Sequence, residues 1–362
     1  MKKNKLLIAI GAVVLIGIVS LLAYRAQNQS SSSDVVRIGA ILPLTGAGSV
    51  AGNYVRDALV FAANRYNGVD VSLVVEDSKS NPRDAVLAYR KLVSDRNIKV
   101  IFLQMSSVIN TILPISNRDD VLLIGIGSIE PIVDDKDKRK YLTDYLDATT
   151  QARIFVENSL SKQIVLYYLN DDYGLSIKKA MESKVAAEVK NEIRIKSYSF
   201  AQDSNAQDLV VATSIDNNAT VVVAGYGSIM VDIVERLLQY GFNGRILCTP
   251  EFLVNSNLDR IKNAATDISV IGMPVLLGNV GNAFQDQYGR KPSVADMLAY
   301  NGIVCVLDVM RGMSDHNEIS AKKIIEALSS SKSFDNAPAI KCVNGKCFVY
   351  DAFVEKVFKD ER

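Results

Sequence analysis

Short apolar, β-branched runs alternate with helix-like stretches from Val35 to about residue 288, and this alternation limits the fold more than any other feature. The predicted strands are Val35–Leu42, Val71–Glu76, Val100–Gln104, Leu122–Gly125, Gln163–Leu169, Arg194–Tyr198, Thr220–Ala224, Arg245–Cys248 and Ile268–Gly272. Between them the helical period falls on Asn53–Tyr66, Pro82–Ser94, Ile109–Asn117, Ser176–Val189, Ala206–Ile215, Ile229–Tyr240 and Val280–Tyr288. The strands are nearly continuous apolar runs without polar alternation, the pattern of sheets covered on both faces. Strand–helix alternation predicts an α/β fold with a doubly wound parallel sheet. Its repetition on either side of about residue 150 predicts two such lobes, and 362 residues suit two domains. No unit of 20–50 residues recurs, which excludes a solenoid.

The N-terminus sets the compartment. Met1-Lys-Lys-Asn-Lys5 is basic, and Leu6–Ala23 follows as 18 residues with Ser20 as the one polar member. That shape is an export signal, longer than the roughly 7–15 residues of a cleaved apolar core and long enough to span a bilayer. Cutting after Ala26 or Ala23 would put Tyr24 or Leu21 three residues before the cut, where a small side chain is wanted. Residues 1–26 are therefore read as an uncleaved membrane anchor in preference to a cleaved peptide, with the flanking lysines holding that end inside. Residues 27–34 form a flexible tether, and no cysteine in residues 1–40 is available for lipid attachment. The body lies on the periplasmic or extracellular face.

Cysteine usage fits an exported body. Cys342-Val-Asn-Gly-Lys-Cys347 centres Asn-Gly between two short strands, a strong hairpin signal. Val343 then pairs with Lys346, and Cys342 faces Cys347 at a separation a disulfide can bridge. Cys248 and Cys305 lie in apolar runs and read as buried thiols. The balance of 41 basic and 40 acidic residues leaves no basic patch for nucleic acid. A single histidine, His316, leaves no histidine cluster for a metal and no Ser-His-Asp triad. No catalytic residue is assigned. Gly46-x-Gly48-x-x-Ala51 matches a dinucleotide fingerprint in form, but the acidic pair Glu76-Asp77 comes 25 or more residues after Ala51, beyond the expected spacing, so no cofactor is assigned.

Ligands of open parallel sheets sit beyond the carboxyl ends of the strands, so the loops after the strands carry the functional reading. Ser106 and Ser107 open the helix after the third strand, where hydroxyls and unpaired N–H groups suit an anion, or cap the helix. Gly127 and Ser128 follow the fourth strand as a small, hydroxylic turn. Glu251, after Thr249-Pro250, sits where a carboxylate can meet a ligand ammonium.

Taken with Ile38-Gly-Ala-Ile-Leu-Pro-Leu-Thr-Gly46, Glu76-Asp77, Asn170-Asp-Asp-Tyr-Gly174, Ala224-Gly-Tyr226 and Tyr300-Asn301, these segments resemble the branched-chain amino-acid (leucine/isoleucine/valine) binding proteins of bacterial ABC transporters. The resemblance runs from Val35 to about Val357. It implies the type I periplasmic-binding fold, with lobe one at 35–150 plus 276–335 and lobe two at 151–275 plus 336–362. It also implies that Ser107 and Ser128 hold a ligand carboxylate, that Glu251 takes the ammonium, and that Tyr173 and Tyr226 line the cleft. The implied partners are a small-molecule ligand and an ABC permease. Two departures stand out. Gly48-Ser-Val-Ala51 replaces an aromatic of the first loop, and Gly127-Ser-Ile-Glu130 lacks a proline-rich continuation. A membrane-anchored sensory or assembly module using the same fold without transport is the alternative reading. An exported enzyme finds no support, since no G-x-S-x-G nucleophile elbow occurs.

Overall fold

The computed structural model describes residues 35–357 apart from 96–97, 128–140, 144, 188–191, 212–214, 255–257, 263–265, 274–277, 314–318, 332–340, 344–345 and 350–352. The expected anchor and tether lie outside these residues, as does Ser128. Among the described residues no helix is long and apolar enough to cross a membrane.

Two sheets form the frame. In the first, β1 (Val36–Leu42), β2 (Val71–Asp77), β3 (Ile98–Gln104), β4 (Leu122–Ile126) and β5 (Tyr141–Thr143) run in the order β2-β1-β3-β4-β5, all parallel. In the second, β6 (Gln163–Leu169), β7 (Arg194–Phe200), β8 (Thr220–Ala224), β9 (Ile246–Cys248) and β10 (Ile268–Gly272) are parallel. An antiparallel edge strand, β13 (Phe353–Lys356), completes the order β13-β10-β9-β8-β6-β7. The central strands β1, β3, β4 and β8 are buried almost throughout, which explains their unbroken apolar sequences. The chain therefore has the α/β fold with two parallel-sheet lobes expected from its sequence.

Helices cover the sheets: α1 (Ser49–Arg65), α2 (Pro82–Ser94), α3 (Ser106–Ile115), α4 (Ala148–Glu157), α5 (Asp172–Ala187), α6 (Ala206–Val211), α7 (Ile229–Gln239), α8 (Gly278–Tyr288), α9 (Val294–Arg311) and α10 (Ala321–Ser330). Their starts follow local chemistry. Asn81 caps α2 through the Arg83 N–H, with Pro82 at the first helical position; Asp147 caps α4 through the Thr150 N–H. Ser293 and Asp296 form a reciprocal capping box on α9. The α9 helix packs on α1 and α10 packs on β4, while α4 packs on α5 and β13 joins the second sheet. The chain thus passes between the sheets more than once.

The hairpin expected around Asn344-Gly345 is present as β11 (Lys341–Val343) and β12 (Lys346–Val349), with Val343 paired to Lys346. The register shifts toward Lys341, which pairs with Val349. The side chains of Cys342 and Cys347 lie outside the described residues. Cys248 and Cys305 are buried thiols outside any disulfide.

Candidate functional site

The lower wall of the cleft is the loop after β1. Asp77, at the end of β2, accepts from the Leu44 N–H (2.9 Å), the Thr45 N–H (3.3 Å), the Thr45 hydroxyl (2.7 Å) and the Lys79 N–H (2.7 Å). Burial pushes its carboxyl up, but these four donors outweigh it and hold the pKa below the ordinary value. Ser80 Oγ adds a second stitch, donating to the Thr45 carbonyl (2.9 Å) and accepting from the Gly48 N–H (3.0 Å). Gly46 makes the turn at φ +85°, and a Cβ there would lie 2.8 Å from the Lys79 carbonyl. The loop that superficially matches a nucleotide-binding fingerprint is therefore tied to its neighbour and presents Pro43, Gly48 and Ala51 to the cleft.

The next wall is the β3–α3 junction. Here α3 begins at Ser106, three residues before the expected start, because Met105 turns the chain abruptly at φ 78°, ψ 131°. A non-glycine residue in this region is strained by about 1–3 kcal/mol. The turn puts Gln104, Met105 and Ser106 into the cleft wall beside Ile126 and Gly127 at the end of β4. A Cβ on Gly127 would stand 3.3 Å from the Ser106 nitrogen, so this glycine lets β4 approach the helix N-terminus closely.

Lobe two supplies the opposite wall. Glu251 lies on a one-turn 3-10 helix, Pro250–Val254, directly after β9. Thr249 is fully buried and anchors that turn, its hydroxyl donating to the Gly225 carbonyl (2.8 Å) and accepting from the Gly225 N–H (3.2 Å). The Glu251 carboxylate accepts from Tyr173 Oη at Oε2 (2.8 Å) and from Tyr145 Oη at Oε1. Behind it Tyr173 Oη lies 3.1 Å from Gln151 Oε1, and the buried Gln151 donates to the Leu146 carbonyl (2.9 Å). Burial raises the Glu251 carboxyl above its ordinary value, and the tyrosine hydrogen bonds offset this only in part.

Tyr173 is set by the first turn of α5. A Cβ at Gly174 would fall 2.1 Å from the Leu169 carbonyl, so only glycine lets α5 start this close to β6. Tyr226 stacks on Tyr173 with centroids 6.4 Å apart at 26° and donates to Asp171 Oδ2 (2.8 Å). Burial raises both tyrosines, with the Glu251 charge adding to Tyr173 and the Asp171 charge to Tyr226.

These walls enclose two adjoining chambers of about 70 and 50 Å³, sharing Ala51, Gln104, Ile126, Gly127 and Glu251. A single water needs about 10–15 Å³ on the same measure, so the space suits a small ligand. Of the residues expected from sequence, Ser106, Gly127, Tyr173, Tyr226 and Glu251 come together in one chamber wall. Ser107 does not line it; its carbonyl instead accepts from the Thr111 hydroxyl (2.8 Å). Tyr145, Gln151 and Gln104 were not anticipated. Gln104 carried a legible signal, as a polar residue ending an apolar strand at the ligand-binding edge. Tyr145 carried none, since it belongs to the segment leaving β5 and reaches Glu251 only through the tertiary fold.

A sequence model of the family described as periplasmic binding protein matches residues 35–348. No curated protein matches the chain. Solved structures do. The leucine-binding protein LivK of Thermotoga maritima is 22% identical, with a TM-score of 0.72 over 90% of this chain and 96% of its own. LivJ of Streptococcus pneumoniae, in complex with isoleucine, is 18% identical with a TM-score of 0.68, over 89% of this chain and all of its own. A solute-binding protein of an ABC transporter from R. palustris, in complex with benzoate, is 14% identical with a TM-score of 0.74, over 89% and 93%. At these identities the likeness is one of fold, and the relatives' ligands differ.

Proposed function

This chain belongs to the periplasmic binding protein family, whose members bind solutes outside the cytoplasm and are typically not enzymes, and from that premise we propose that it captures a small amino acid or amino-acid-like molecule between its lobes for an ABC importer. The observation that carries the reading is Glu251, a carboxylate buried in the cleft wall and aimed by two tyrosine hydroxyls. A buried carboxylate is costly unless it meets a positive charge, and a ligand ammonium supplies one. Across the cleft the first turn of α3, with Ser106, offers backbone and hydroxyl donors to a ligand carboxylate. The two ends of an α-amino acid thus meet complementary walls on different lobes, so that binding favours the form in which the lobes are together.

Calorimetric titration of the exported body with the common amino acids tests this. Glu251→Ala is expected to cost about 2–5 kcal/mol of binding, roughly 30-fold or more in Kd. Unchanged affinity for every amino acid that binds the parent protein would overturn the reading.

A further inference from the structure

The ammonium and carboxylate walls leave one polar group of the cleft unexplained. Gln104, the last residue of β3, is 8% exposed, lines both chambers, and its Oε1 has no hydrogen-bond partner among the described residues. Its strand is apolar from Val100 to Leu103 at the sheet centre, and the inner chamber around it is walled by Ile126, Pro250, Val254, Val294 and Leu298. The other polar side chains of that chamber, Tyr145 and Glu251, are bonded to each other. An aliphatic residue would satisfy such a chamber at no cost, whereas a buried carboxamide oxygen without a donor is a standing penalty. A ligand group entering the chamber can supply the missing donor.

We propose that Gln104 reads the ligand's side arm, and that the ligand carries there a hydroxyl, amide or amine able to donate to Gln104 Oε1. Building on the function above, this assigns the site to small polar amino acids or their analogues and away from aliphatic ones of equal size. The apolar walls hold the arm's carbons, and Gln104 discriminates at its tip. A site built around a buried acceptor rejects the analogue lacking the donor, because the acceptor is then left unpaired.

The experiment compares near-isosteric pairs, threonine against valine and asparagine against leucine, by calorimetry on the parent protein and on Gln104→Leu. The parent is expected to prefer the polar member of a pair by about tenfold or more, and Gln104→Leu to invert that preference. Gln104→Leu is also expected to melt no lower than the parent when both are ligand-free, since it removes an unpaired buried oxygen. Equal or tighter binding of the aliphatic member by the parent would overturn the role of Gln104 while leaving Glu251 intact. So would a clearly lower ligand-free melting temperature. The same comparison with the des-amino acids separates the two readings. Binding of the polar des-amino member alone would retain Gln104 and remove the ammonium assignment. Binding of none of the eight compounds would overturn both.

Discussion

Glu251 and Asp77 are both carboxyls at strand ends, yet their surroundings push them in opposite directions. Burial raises Glu251, so the ligand-free protein keeps its proton in a window above the ordinary value near 4.5. An ammonium ligand needs the carboxylate, so binding inside that window expels a proton, and affinity falls as pH drops through the raised pKa, approaching tenfold per unit. Titration in two buffers of different ionisation heat counts the protons; release that vanishes in Glu251→Gln is expected, and no release at any pH in the parent would sink the assignment. Asp77 behaves the other way. Its lowered pKa contributes stability that is present above the unfolded value near 3.8 and is lost as pH falls through the folded one. Asp77→Asn is expected to loosen the first loop, measurable as faster amide exchange at Leu44, Thr45 and Lys79, whose N–H groups it accepts. Glu251 was readable in sequence as a carboxylate at a strand end, and the Asp-Tyr-Gly turn only through the family resemblance. Tyr145 was not, because nothing local marks a tyrosine whose partner lies 106 positions away.

At the scale of elements, the β3–α3 junction places Gln104 and Ser106 by forcing Met105 to a positive φ. Replacing Met105 by alanine or glycine removes the same thioether from the wall, but only alanine keeps the strained conformation. Met105→Gly is therefore expected to be more stable than Met105→Ala by about 1 kcal/mol, the reverse of their ordering inside a helix; denaturant midpoints decide it, and alanine ranking above glycine would show the turn to be unstrained. Sequence placed Gln163–Leu169, Thr220–Ala224, Ile268–Gly272 and Pro82–Ser94 with the bounds the structure has. It missed α9, whose residues are buried nearly all round, so no amphipathic stripe announces it. It missed β5 and β13 because three- and four-residue strands are too short to show a period. The Asn344-Gly345 hairpin was legible through its turn chemistry. A Cys342–Cys347 bond across it is a further expectation: the denatured, unreduced protein should titrate two thiols, those of Cys248 and Cys305. Reduction should then cost about 2 kcal/mol for so short a loop, and four titratable thiols would remove the bond.

In the whole molecule the two lobes also touch each other directly. The α1 helix meets the Pro250–Val254 turn, and α3 meets α5. There Asn110 Nδ2 donates to Asp172 Oδ2 (2.9 Å) across the mouth of the cleft. Asn110 belongs to the helix whose first turn lines the cleft, and Asp172 opens the helix that carries Tyr173. The contact is exposed to solvent, so one such bond is worth only about 0.5–1.5 kcal/mol. It is enough to bias a two-state opening, because a ligand moves that equilibrium only by its differential affinity for the two forms. Asn110→Asp sets a second carboxylate against Asp172 and turns the attraction into repulsion without touching the cavity. The variant is expected to widen the ligand-free particle in small-angle scattering and to raise ligand Kd several-fold through faster dissociation. Added salt should recover part of the loss by screening the pair. Asn110→Ala, which removes the bond but adds no charge, should fall between the two. Equal affinity and equal dimensions for all three proteins would mean that the cleft mouth plays no part in closure, leaving the hold on the ligand to the walls around Glu251 and Ser106.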